Sequence, residues 1–176
     1  ITKADQNISF SSLSNVVYGD SDFNLSATSD SGLAVSYTSS NTSVASVSGN
    51  TVRITGVGRT TITAEQSGNG NYKEAIAVSQ TLTVTPRGIV VTANSGQSKV
   101  YGNTDPNLSY TITNGSLVNS DVLTGSLTRV IGEDAGLYAI EQGSLANANY
   151  QITFVSANFE ITKACLLYTS DAADEE

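Results

Sequence analysis

The chain has 176 residues, 39% of them hydrophobic, with 16 acidic and 8 basic side chains for a net charge of −8. It has no His, Trp or Met and a single Cys, Cys165. Those absences exclude a Ser-His-Asp triad, a Cys-His dyad, His-ligated zinc and an internal disulfide. The basic residues are scattered, so no patch exists to displace counterions from nucleic acid. No apolar run approaches the roughly 18 residues of a membrane helix. Neither nucleic-acid binding nor membrane insertion is expected of these residues.

In chain order, the first predicted element is ITKA at 1–4, which returns as VTPR at 84–87 and ITKA at 161–164. The first two junctions lead into short apolar strands, Ile8 with Phe10 and Ile89 to Val91. Each then reaches a Tyr-Gly motif: VVYGDSDFNLS at 16–26 and KVYGNTDPNLS at 99–109. Between 35 and 64, apolar residues alternate with polar ones at Val35 and Tyr37, Val52 and Ile54, and Ile62 and Ala64, the period of half-buried strands. SGN at 48–50 reads as a tight hairpin and GVG at 56–58 leads into TTITA. NGNY ends at Tyr72, and TLTVT at 81–85 closes the unit.

The second unit offers IVVTA, LSYTI, GSLTRV, LYAIEQG and YQITFV as strands, with NANY ending at Tyr150 and NFEIT at 158–162 closing. Residues 117–123 are expected to hold a helical turn. No segment sustains a helical period, so the fold class is all-β: two small tandem β modules. Such repeats are marginal alone and lean on their neighbours in an array. The division expected is 1–5 as the closing strand of a preceding repeat, then modules at 6–86 and 87–164. Residues 165–176, CLLYTSDAADEE, back-translate to a stretch resembling a sequencing-library adaptor and are set aside as an artefact. Without their four acids, 12 acidic residues stand against 8 basic ones.

The repeated motif has two readings. Asp20, Asp22 and Asn24 imitate the first ligands of a calcium loop, and Asp105 lies in the second copy. Yet Leu25 stands where that loop needs Gly, and Ser31 where it needs Glu. The better reading is a structural corner: Gly19 and Gly102 supply a left-handed turn, and Tyr18 and Tyr101 precede it. Tyr72 and Tyr150 are expected to bury their rings and return their hydroxyls to backbone, as a tyrosine corner does; stacking on sugar is the alternative. Glu133 and Asp134 are read as turn and surface residues. Lys73, Lys99 and Lys163 lie beside polar turns or junctions, which argues against a Lys-Asn cross-link. No catalytic residue, metal ligand or cofactor is assigned.

VSYTSSNTSVASVSGNTVRITGVGRTTITAEQSGNGNY, 35–72, resembles the bacterial immunoglobulin-like domain of group 2, on its SNTSVASV run, its hairpin and GVGRTTITA. The second unit resembles the MBG domain of the YGX type, on its Tyr-Gly start, LTGSLTR at 123–129, GEDAGLYAI at 132–140 and NYQITF. The resemblance implies an Ig-like sandwich first and an Ig-like or β-grasp-like module second. It also implies modules of a very large repetitive bacterial surface or secreted protein of adhesin type. The function expected is a non-catalytic, extracellular spacer touching neighbouring repeats, with glycan or host-protein binding as the alternative. Pro86 fixes its own φ and holds Thr85 extended, so the junction is expected to be stiff. Chelator is expected to leave the thermal midpoint unchanged. Calcium at a hundredfold excess over Kd would add about 2.7 kcal/mol, so a midpoint drop with chelator that Asp22→Ala or Asp105→Ala abolishes contradicts the corner reading.

Overall fold

The computed structural model describes residues 2–165; the artefact expected at the C-terminus lies outside the described residues from 166 onward, and Cys165 is exposed. Among the described residues there is no helix, and hence none long and apolar enough to cross a membrane. The chain is all-β, in two units. Unit 1 comprises Ile1–Gly88 together with Leu117–Asp121 and Asn147–Gln151; unit 2 comprises Ile89–Ser116, Val122–Ala146 and the remainder from Ile152.

Unit 1 runs through β1 (Ile8–Ser9), β2 (Val16–Val17), β3 (Phe23–Asn24), β4 (Thr28–Ser29), β5 (Ser36–Ser39), β6 (Ala45–Ser48), β7 (Thr51–Ile54), β8 (Gly58–Glu65) and β9 (Val78–Thr85). They form sheets ordered β2-β9-β8-β5 and β3-β7-β6, with β1-β4 as a separate pair. The alternation read from the sequence is what fills the core. Thr60, Ile62 and Ala64 of β8 point inward, as do Leu82 and Val84 of β9. Val52, Ile62, Ala64 and Leu82 are fully buried; burying each Val, Leu or Ile side chain contributes about 1.5–3 kcal/mol. The hairpin turns at Gly49 and Asn50, between the paired Ser48 and Thr51.

Residues 2–7 are bound into unit 1 itself. Ala4 bridges Tyr72 in parallel, its N–H donating to Asn71 O at 2.8 Å and its carbonyl accepting from Lys73 N at 2.8 Å. The buried Gln6 amide donates to Lys73 O at 2.6 Å and accepts from Ser29 Oγ at 2.8 Å. A buried amide left unpartnered would cost about 1–3 kcal/mol. These bonds supply what a chain entering beside Asn-Gly-Asn-Tyr requires.

The second half continues with β10 (Arg87–Ala93), β11 (Gln97–Val100), β12 (Tyr110–Asn114), β13 (Thr128–Arg129), β14 (Gly136–Glu141), β15 (Tyr150–Val155) and β16 (Asn158–Thr162). Two sheets result, β12-β10-β15 and β11-β16-β14-β13. This two-sheet form, without a helix among the described residues, replaces the β-grasp alternative for the second module. Val91, Ile140, Leu145, Phe159 and Ile161 fill its core. The helical turn expected at 117–123 is instead a β-turn, closed by Asp121 N donating to Val118 O at 2.9 Å. Asn119 (φ 55°) and Ser120 (φ 61°) are both left-handed, which a right-handed helical turn forbids.

One construction occurs in both units. β2 pairs in parallel with the closing strand β9, Val16 opposite Val84 and Val17 opposite Thr85. β11 pairs in parallel with the closing strand β16, Lys99 opposite Ile161 and Val100 opposite Thr162. The next amide continues each ladder: Tyr18 N donates to Thr85 O at 2.9 Å and Tyr101 N to Thr162 O at 2.8 Å. The turn that follows is also shared, with Asp20 N bonded to Val17 O and Asn103 N to Val100 O, both at 3.0 Å.

Candidate functional site

Two side-chain clusters stand out, one in each unit. The first, in unit 1, gathers around the Asp121 carboxylate. Tyr18 and Tyr150 are 3% and 7% exposed, with rings 5.8 Å apart and nearly perpendicular. That edge-to-face geometry is the favoured one for two aromatics. Both hydroxyls donate to Asp121 Oδ2, at 3.0 and 2.9 Å. The Tyr150 hydroxyl also accepts from Val118 N at 2.8 Å, and Asn119 Nδ2 donates to the Tyr18 hydroxyl at 3.2 Å. Burial, then the neighbouring carboxylate, pushes the Tyr150 phenol up from its ordinary value.

This cluster explains Gly19. Its φ is 85°, and a Cβ there would come within 2.7 Å of Val118 Cγ2. Gly102 has nearly the same φ, 87°, but faces open space. Tyr101, the counterpart of Tyr18, is 53% exposed. Tyr72 is half-buried beside its bridge to Ala4.

The second cluster, in unit 2, is ionic. Arg129 donates from Nε to Asp105 Oδ2 at 2.6 Å and from Nη2 to Asp105 Oδ1 at 3.0 Å, a bidentate pair. Nη2 also reaches Glu133 Oε1 at 2.8 Å, and Nη1 reaches the carbonyls of Val130 and Gly132 at 3.0 and 2.6 Å. All five guanidinium N–H groups are used, and the guanidinium carbon stands 5.2 Å from the Tyr138 ring and 5.3 Å from the Phe159 ring. Lys99 inserts from β11, its ammonium on Asp105 Oδ1 at 2.7 Å and on Glu133 Oε2. Two cations meet two carboxylates. The Arg129 guanidinium, then Lys99, hold the Asp105 carboxyl down to about 2, while Lys99 and then Arg129 hold Glu133 below its ordinary value. Asp105, then Glu133, raise Lys99 above the ordinary lysine range.

Two expectations change here. Lys99 is buried beside two carboxylates, where its polar neighbours in sequence pointed to the surface, and Glu133 is an ion-pair partner as well as a turn residue. Amide formation between Lys99 and Asp105 would require a neutral amine and a protonated acid. Arg129 and the paired carboxylates stabilise the opposite protonation of both, so the cluster is a clamp. Of the residues weighed for calcium, Asp20 Oδ2 accepts from Val17 N at 2.8 Å, Asn24 Oδ1 accepts from Thr51 Oγ1 at 2.9 Å, and Asp22 is exposed. Asp105 serves the clamp. Among the described residues no three His, Cys, Asp or Glu side chains are grouped as a metal site would require. Asp121 went unremarked in the sequence, and Arg129 entered only as the last residue of the LTGSLTR run, with no role assigned to it.

Comparison with known families settles the second repeat. The MBG domain (YGX type) matches residues 89–160, beginning where unit 2 begins. Residues 89–160 are an MBG domain of the YGX type. No curated protein matches the chain. A solved structure described as "Crystal structure of Dscam1 isoform 6.9, N-terminal four Ig domains" is similar at 14% identity, over 87% of this chain and 43% of that one, with a TM-score of 0.37. The chain thus spans less than half the length of that relative.

The clamp of the MBG domain makes stability fall in acid. Asp105 titrates near 4 when unfolded, by the about 3.9 of a free aspartate, and at about 2 when folded. The folded state therefore binds fewer protons between those values, so the contribution is complete above about 4 and is lost as pH falls through about 2. Glu133 acts with the same sign. Lowering the pH from 5 to 2 is expected to lower the melting midpoint, and Asp105→Asn to flatten that fall. Arg129→Ala is expected to destabilise by about 2 kcal/mol, less than the about 3–5 of a fully buried broken pair, because Asp105 is 40% exposed. Melting curves of variant and parent that stay parallel from pH 7 to pH 2 contradict the clamp.

Proposed function

We propose that the chain is a pair of structural modules from a large repetitive bacterial surface or secreted protein, spacing a distal domain from the cell without catalysis. Residues 6–86 are read as a bacterial immunoglobulin-like module of group 2 ahead of the MBG domain. One observation carries this reading: the Tyr-Gly motif is built twice on the same parallel ladder, in the same register and with the same turn. Building blocks recur in this way, and catalytic sites in a chain this short do not. The chemistry of the two clusters agrees. Asp121 accepts from two tyrosines, and the clamp turns its cations onto its own carboxylates, leaving neither cluster equipped to activate a substrate. Neighbouring repeats are the partners proposed, on an extracellular or cell-surface protein.

A second reading has one observation in its favour. A cleft of about 630 Å³ in the MBG domain is lined by Pro106, Leu108, Tyr110, Thr128 and Ile131, with Ile131 97% exposed. Apolar and polar groups converging on a cleft are what a glycan or peptide site needs.

The linkage between the modules is the single residue Pro86, between β9 and β10, whereas a flexible linker needs Gly/Ser length. Small-angle scattering on the chain is expected to give a radius of gyration well above the roughly 16 Å of a compact domain of this length. A value near 16 Å, or glycan binding lost on Tyr110→Ala, overturns the spacer reading in favour of a binding module.

A further inference from the structure

The two Tyr-Gly corners share a backbone and differ in surroundings, and that difference identifies a docking surface. Around Tyr18 the corner is covered by Val118, Asn119, Asp121 and Tyr150. Around Tyr101 it is bare: Tyr101 is 53% and Val100 43% exposed, and Gly102 has no neighbour within reach of a Cβ. Beside it Tyr101, Asp134, Ala135, Lys163 and Ala164 line a hollow of about 440 Å³. Both corners share the left-handed glycine that the turn itself requires, φ 85° at Gly19 and 87° at Gly102; what differs is the cover over it.

We infer that the Tyr101–Gly102 corner is the acceptor for a further module of the MBG kind, whose loop equivalent to Leu117–Asp121 would cover it as that loop covers Tyr18. The inference rests on the repeat-array reading and names the contact that joins the array. The occupant is specified by chemistry. It places a branched apolar side chain against Gly102, as Val118 lies against Gly19. It brings a carboxylate to the Tyr101 hydroxyl, as Asp121 does for Tyr18, and an aromatic ring edge-on, as Tyr150 does. The parallel ladder supports the equivalence residue by residue, since Thr162 O receives Tyr101 N just as Thr85 O receives Tyr18 N. One feature of the first corner has no counterpart: Arg87 Nη1 reaches Tyr18 O at 3.4 Å, and Ala164 occupies the matching place in the second. The contact is therefore carried by the tyrosine and the loop. A glycan on Tyr101, or no occupant at all, are the competing outcomes.

Nitration with tetranitromethane, mapped by mass spectrometry, reads the difference. In the chain as it stands, Tyr101 is expected to react at least about tenfold faster than Tyr18, which must await local opening. Val118→Asp in the same chain is expected to raise the reactivity of Tyr18 to that of Tyr101; an unchanged Tyr18 overturns the role of the loop. A longer chain, with a second copy of residues 86–164 placed after Thr162 and Tyr101→Phe in the added copy, leaves one Tyr101 to follow. Its nitration is expected to slow to the rate of Tyr18 and to recover when the added copy carries Val118→Asp. A Tyr101 that stays reactive beside a folded added copy overturns the inference, as does protection of Tyr101 by added glycan alone. Scattering on the longer chain separates the two proposals. A folded-over chain with Tyr101 protected contradicts the spacer alone, and an extended chain with Tyr101 reactive contradicts the docking alone.

Discussion

Each unit is closed by a parallel pairing between its second strand, β2 or β11, and its closing strand, and the other elements are arranged by that constraint. Parallel neighbours cannot be joined by a hairpin; a long connection must lie between them. In unit 1 that connection runs from Val17 to Val78 and contains every strand from β3 to β8. From Val100 to Asn158 the same requirement takes in β12 to β15. The pairing also fixes what lies just past it. Because Tyr18 N and Tyr101 N extend the ladder by one bond each, the tyrosine and the left-handed glycine after it are delivered to the same place on both occasions. The motif repeats because the ladder does.

Much of this was legible in the sequence where a strand was long enough to show its period. The inward residues of β8, Thr60, Ile62 and Ala64, and of β10, Ile89, Val91 and Ala93, alternate over several positions. Strands β2, β3 and β4 have two residues each, too few for any period. β11 hides for another reason: its inward position is Lys99, a residue that pattern reading assigns to water. Burial of that lysine depends on Asp105, six positions along, and on Glu133, brought from 34 positions away by the fold. A single sequence displays no such convergence. The turn at Val118 was misread because apolar Leu117, Val118 and Val122 imitate a helical period, while the left-handed conformations at Asn119 and Ser120 are imposed by the bonds around Asp121.

The two clusters illustrate how modules of this kind are stabilised without disulfides. Unit 1 brings aromatic rings and one carboxylate together in a nearly dry setting, where hydrogen bonds to a charged acceptor are worth about 1.5–3 kcal/mol. The MBG domain surrounds a guanidinium with rings and acids, and the stacked, bidentate geometry is one that lysine could not reproduce. Both solutions leave the polar groups they use fully occupied. The two Tyr-Gly corners differ in their cover, Tyr18 being 3% and Tyr101 53% exposed.

Amide hydrogen exchange at Tyr18 and Tyr101 tests the parallel clasp most directly, since each of these amides exists as a ladder donor only if β2 is paired with β9 and β11 with β16. Both are expected to exchange as slowly as the core amides of their own unit, Leu82 in the first and Phe159 in the second, because releasing them means opening the unit. Fast exchange at Tyr18 and Tyr101 while Leu82 and Phe159 remain protected would contradict the clasp, and with it the equivalence of the two corners.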